Sequence, residues 1–299
     1  MSSAVASTSF PLARRSLSCS FRCCLLLSAL LGGISMMTAC ASTISGVVWQ
    51  PENAVIDPKG KWDQIGARQL LIQWTAVDNL AFVSGAGIPT VPKLPDWPRI
   101  ATEPWAKEVI LGLAGYFDET KARANLDELG ALSERLAKLP TPLNVVGWYF
   151  PVEIDPTWGD APKLAAILNK LPRPLWISVY DSANVGPDDV AKWLQVWLPK
   201  DVGVFFQDGV GVHAREARVA LDYVTAMEKR LGKQRVRVIV EAFRPQVGGG
   251  FRAATAAELM PQLNTYGARR VYLFDGPHYV PDTLVDELKA GFAKDGKRP

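Results

Sequence analysis

Eight short runs of apolar, β-branched and aromatic residues recur along the chain, separated by longer stretches with helical patterning. The runs cover 44–49, 70–74, 109–114, 145–150, 175–180, 202–206, 236–240 and 271–274, and their starts lie 26–39 residues apart. A strand-helix-strand unit needs roughly 30 residues, so alternation at this period predicts a parallel sheet. The intervening helices are expected over 61–69, 119–139, 162–171, 187–198, 215–231, 255–266 and 281–293. In 119–139, Ala122, Leu126, Leu129, Leu132 and Leu136 recur three or four residues apart between charged residues, which makes one stripe that can pack on the sheet. Pro162, Pro187 and Pro281 stand where a helix's first turn tolerates a missing N–H.

Eight strand-helix units in one unbroken series predict an α/β fold of the (β/α)8 TIM-barrel type, spanning 40–299 as a single domain. A doubly wound sheet would need a Gly-rich phosphate turn after its first strand, and Trp49-Gln50-Pro51-Glu52-Asn53 is no such turn. The second unit is irregular: 75–102 has little periodicity and contains Pro89, Pro92, Pro95 and Pro98. A loop of that length is expected to be functional.

Ahead of this pattern, Arg14, Arg15 and Arg22 precede an apolar run that ends at Met37-Thr38-Ala39-Cys40. A charged segment, a short apolar segment and small residues before a cut site read as a signal peptide over 1–39. Its end resembles a bacterial lipobox, which implies lipid attachment at Cys40; an ordinary secretory signal with a chance Cys is the alternative. Arg14-Arg15 also raises twin-arginine export. Ala41 stands where an Asp would favour inner-membrane retention. The expected location is therefore the periplasm, anchored through Cys40 to the outer membrane. All four cysteines, at 19, 23, 24 and 40, fall in or at the end of this leader, so the mature fold has no cysteine for an internal disulfide, a zinc site or a thiol nucleophile.

Composition changes the picture in one respect. The chain is 48% apolar and 21% charged, with 24 Gly and 22 Pro, as expected for a globular protein. The nominal charge of +3 resides in the leader, since the remaining 260 residues carry 30 basic and 30 acidic side chains. Such a body lacks the electrostatic footprint of a nucleic-acid binder. His213 and His278 are the only histidines, too few for a His-rich metal centre, and neither a metal nor a cofactor is expected. Gly248-Gly249-Gly250 lacks the Lys-Ser/Thr signature of a phosphate loop and reads as a flexible loop over the barrel mouth.

In this fold, chemistry gathers at the carboxyl ends of the strands. There the sequence offers Glu153 and Asp155 after the fourth run, Tyr180 and Asp181 at the fifth, and Gln207 and Asp208 at the sixth; Glu241 ends the seventh and Asp275 the eighth. Glycosidic cleavage needs two carboxyl groups flanking the anomeric carbon, and Glu153 and Glu241 fit that demand from strands three apart around the ring. The remaining acids have a plainer role open to them, as helix caps and turn residues, and Arg244 is a salt-bridge rival for Glu241.

These positions resemble clan A glycoside hydrolases, in which an acid/base Glu ends strand four and a nucleophile Glu ends strand seven. Val152 stands where that pattern has Asn. The segments Ile72-Gln73-Trp74, Gly147-Trp148-Tyr149-Phe150-Pro151-Val152-Glu153-Ile154-Asp155 and Phe206-Gln207-Asp208-Gly209-Val210-Gly211 are similar to an uncharacterised family of bacterial TIM-barrel lipoproteins grouped near that clan. The resemblance to clan A implies a retaining hydrolase with Glu153 as acid/base and Glu241 as nucleophile, while the uncharacterised family implies the fold and supplies no established reaction.

The chain carries ten Trp, and indoles suit the flat C–H faces of sugars. Trp49, Gln50, Trp74, Trp148, Tyr149, Asp155, Tyr180, Asp181, Gln207, Asp208, Asp275 and His278 are the candidate substrate contacts. The expected substrate is a bacterial polysaccharide or oligosaccharide. A non-catalytic glycan-binding or export-assisting lipoprotein, partnered by polysaccharide-synthesis or export proteins, is the rival reading. A third is a carboxylate enzyme using Asp181 and Asp208.

Overall fold

The computed structural model describes residues 43–294, so the signal peptide expected over 1–39 and the lipid attachment expected at Cys40 lie outside the described residues. Eight strands close a parallel barrel: β1 (Thr43–Trp49), β2 (Gln69–Ile72), β3 (Glu108–Gly112), β4 (Val145–Ile154), β5 (Leu175–Val179), β6 (Val202–Gln207), β7 (Val236–Glu241) and β8 (Arg270–Phe274). Each pairs with its sequence neighbours, and β8 closes on β1 with Thr43 opposite Arg270 and Val47 opposite Leu273. The chain is a (β/α)8 TIM barrel.

Because side chains alternate along a strand, each strand feeds two cores. Inside the ring, Val48, Leu71, Ile110, Tyr149, Trp176, Phe205, Ile239 and Tyr272 form one cluster. Phe205 meets Tyr272 edge-on at 4.9 Å and Trp176 at 5.3 Å. Gly203 makes room for that indole, since a Cβ there would sit 2.3 Å from the Trp176 ring. The outward residues join the larger core beneath the helices.

The later helices follow the sequence closely: Pro187–Trp197, Ala217–Leu231, Ala256–Tyr266 and Asp282–Lys294. Thr255 caps the third of these, with Glu258 completing the reciprocal capping box. The earlier half departs from expectation. The helix expected over 61–69 is only a 3-10 turn, Trp62–Ile65, stopped by Gly66 at φ 101°. Trp62 covers the barrel there instead, packed edge-on against Trp105 at 4.8 Å. The helix expected over 119–139 breaks at Asn125 into α1 (Glu119–Ala124) and α2 (Leu126–Leu136). The helix expected over 162–171 is a 3-10 turn, Ala161–Lys163, continued by Leu164–Leu168. Residues 75–102 are less irregular than their prolines suggest: Ala76–Val77 pairs with Leu80–Ala81 and with Ala114–Gly115, over a cluster of Trp74, Phe82 and Val91.

β4 runs four residues beyond the predicted end. Pro151 has no N–H to donate, so the ladder to β5 slips there: Phe150 pairs with Ile177, and the next pair is Glu153 with Ser178. This bulge carries Glu153 to the rim of the barrel, and β4–β5 pairing resumes through the Tyr180 N–H donating to the Ile154 carbonyl at 2.9 Å.

Candidate functional site

A cavity of about 230 Å3 opens at the carboxyl ends of the strands, with Val48, Leu71, Tyr149 and Ile239 of the barrel interior as its floor. Its polar lining is Gln50, Gln73, Glu119, Glu153, Ser178 and Gln207; Trp74, Phe117 and Phe274 form its aromatic wall. Phe117 is exposed and meets Trp74 edge-on at 6.3 Å. Of the residues expected from sequence, the fold brings Gln50, Trp74, Tyr149, Glu153 and Gln207 together here.

Two carboxylates face this cavity. Glu153 accepts a 2.6 Å hydrogen bond from Gln207 Nε2, and its backbone N–H donates to Glu119 Oε2 at 3.0 Å. Burial pushes the Glu153 carboxyl up, against the opposing pull of Gln207 and of Arg123, whose Nη2 donates to the Glu153 carbonyl at 3.0 Å. Glu119 is pushed up to about 7, first by burial and then by the charge of Glu153. Two acids in one partly desolvated pocket resist full ionisation, so both hold their protons to higher pH than a free glutamate does.

The sequence reading missed Glu119, Gln73, Phe117 and Phe274. Glu119 follows the β3 end by seven residues and opens α1, where it reads as an ordinary first-turn acid after the cap Asp118. The signal that marks it is its place, in the segment that leaves the carboxyl end of a barrel strand.

Glu241 stands at the same rim, inward like Ile239 two residues earlier. It is only 5% exposed, because the loop after β6 crosses it: Val212 N–H donates to its Oε2 at 3.1 Å, and Gly211 also donates from its backbone. Burial, and then the nearby Asp208 carboxylate, raise Glu241 to about 7. Arg244 is not its ion-pair partner; that guanidinium donates to the Glu241 and Phe243 carbonyls and to Gln262 Oε1. The Tyr180 hydroxyl feels both Glu153 and Glu241, and its ring lies 5.1 Å from the Arg215 guanidinium.

Several expected contacts serve the scaffold instead. Trp49 is fully buried, with its Nε1–H donating to the Val55 carbonyl and its ring 5.7 Å from Trp97. Trp148 points out of the barrel into the core beneath the helices, because it is one residue out of phase with inward Tyr149. Asp155 is pushed up by burial, but hydrogen bonds from Thr157 and Ser182 outweigh that and hold it below the usual range. Asp181 accepts from Tyr223 Oη at 2.7 Å and from the Val185 N–H at 3.1 Å. Asp208 has no exposed surface and accepts from Gln262 Nε2 (2.6 Å), Tyr266 Oη (2.9 Å) and the Glu241 and Val210 N–H groups (3.2 Å each). Asp275 receives the Gln50 N–H at 3.2 Å and holds His278 Nδ1 at 3.1 Å, while His278 Nε2 meets Glu52 at 2.9 Å. The Asp275 hydrogen bond leads in raising His278 to about 9, so its ring is charged at neutral pH.

Among the described residues no group of three or more His, Cys, Asp or Glu could hold a metal ion, and no helix is long and apolar enough to cross a membrane. No family model and no curated protein matches the chain.

Proposed function

We propose that the barrel mouth binds a bacterial polysaccharide or oligosaccharide and cleaves one of its glycosidic bonds, with Glu153 as the acid/base. The observation that carries this reading is a half-buried carboxyl, shifted toward its protonated form, beside a second carboxyl on an open cavity that pairs amides with exposed aromatic surface. Amides bind hydroxyls, and the exposed Phe117 ring offers a face for the apolar side of a sugar ring, with buried Trp74 behind it. Glu153 protonates the leaving oxygen as the bond to the anomeric carbon breaks, and the Glu241 carboxylate bonds to that carbon. Glu153, now ionised, then takes a proton from the water that displaces Glu241. Glu241 reaches the substrate only when the Gly209–His213 loop withdraws.

That cover favours a second reading, a glycan-binding lipoprotein without turnover. Both readings place the protein in the periplasm, tethered to the outer membrane through Cys40. Release of new reducing ends from a panel of bacterial exopolysaccharides separates them. Hydrolysis requires turnover that Glu153→Gln and Glu241→Gln each reduce by about 10²-fold or more with glycan binding retained. Binding without any new reducing ends leaves only the second reading.

A further inference from the structure

The opposite end of the barrel carries a different chemistry. Where the chain enters β7 and β8, a cavity of about 220 Å3 is lined by Lys233, Arg237, Arg269 and Arg270, with Glu228 as its single acid. Glu228 is already committed, 2.9 Å from Arg269 Nη2. Arg237 is 8% exposed and its Nε has no hydrogen-bond partner; no carboxylate among the described residues lies within ion-pair distance of it. Its guanidinium lies 3.8 Å from the Trp176 ring and donates to Tyr272 Oη at 2.7 Å. Tyr272 donates in turn to Gln69, and Gln69 to Glu108, so the nearest acid on that side reaches Arg237 only through a relay. The buried Nε of Arg269 is also without a partner.

Four cations line the cavity against one neutralised acid, and the buried, unpartnered Nε atoms leave two of the guanidinium groups incompletely paired, which describes a site short of an anion. Its position in the chain indicates where the anion comes from. Arg270 is the register partner of Thr43, and Cys40 stands three residues before Thr43 in the sequence. Three residues span at most about 11 Å, so a lipid on Cys40 would hold this end of the barrel at the bilayer surface.

We infer that the N-terminal end of the barrel is a docking surface for anionic phospholipid, with a headgroup phosphate held among Lys233, Arg237, Arg269 and Arg270. The docked barrel presents its mouth away from the membrane. The orientation rests on lipid attachment at Cys40, whereas the headgroup site stands without it.

The barrel without its leader, residues 41–299, tests this, because the whole ring and its cores lie within 43–294. This protein is expected to co-sediment with phosphatidylglycerol-containing vesicles and not with pure phosphatidylcholine vesicles. Each cation near an anionic surface changes affinity about fivefold, so Lys233→Gln with Arg270→Gln, both exposed, should weaken binding about 25-fold. Unchanged binding by the double variant, equal binding to both vesicle types, binding to neither, or release by millimolar inorganic phosphate at constant ionic strength would each overturn the inference. Incorporation of labelled palmitate into the full chain, compared with Cys40→Ser, tests the anchor separately.

Discussion

At the scale of single residues, what separates an acid open to the cavity from one closed off at these strand ends is the backbone that packs against its carboxyl. Asp155, Asp181 and Asp208 are all met by N–H groups of the next turn, and the Thr157, Tyr223 and Tyr266 hydroxyls and the Gln262 amide donate to them as well. Glu153 and Glu119 keep a face on the cavity. Glu119 has a measurable signature. Its carboxyl sits near 4.5 in an unfolded chain and about 7 in the folded one, so the native state binds its proton more tightly. The stability this contributes is fully present below pH 4.5 and disappears as the pH rises through 7. Glu119→Gln should therefore match the wild type at pH 4 and exceed it by roughly 1–3 kcal/mol at pH 8. Denaturant titrations at both values check this, and equal stability at pH 8 would mean that the carboxyl ionises freely. The sequence showed these acids to be at strand ends but not which of them the turns consume, because that depends on N–H groups whose directions only the fold sets. Nor did it pair Glu119 with Glu153, since their contact crosses 34 residues.

At the scale of elements, all eight strands were legible, because β-branched runs at a 30-residue period fit little besides the strands of a parallel sheet. Helices were legible where a stripe and a start signal coincide, as in Thr255 through Tyr266. They were not where one large side chain replaces a helix, as Trp62 does, or where a break such as Asn125 leaves the stripe intact on both sides. The length of β4 was hidden by Pro151, which reads as a strand end but produces a bulge. The loop after β6 is the element on which the proposed hydrolysis turns. A Cβ on Gly211 would lie 2.6 Å from Glu241 Cβ and 2.9 Å from its Oε2, so only glycine allows this close a cover. Gly211→Ala should lift the loop, lower stability by about 1–3 kcal/mol, and bring the Glu241 carboxyl down from about 7 toward its usual range as water enters. Thermal melts with carbon NMR titration of the carboxyls read both effects, and an unshifted Glu241 would show that the loop is not what holds it dry.

At the scale of the whole molecule, the barrel is polar along its axis. One end gathers carboxylates, amides and aromatics around an open cavity; the other gathers arginines and a lysine beside the start of β1. The balance of 30 basic and 30 acidic side chains over residues 40–299 conceals this division. Hydrolysis of a glycan at one end and contact with an anionic bilayer at the other are compatible uses of one scaffold, because the interior cluster fills the ring between them. The most direct measurement is a crystal structure of the Glu153→Gln protein with a bacterial oligosaccharide bound. A glycosidic oxygen is predicted about 2.6–3.2 Å from the side chain at position 153, with one sugar ring against Phe117. An oligosaccharide seated away from the barrel mouth, or a mouth that stays empty under saturating sugar, would contradict the assignment.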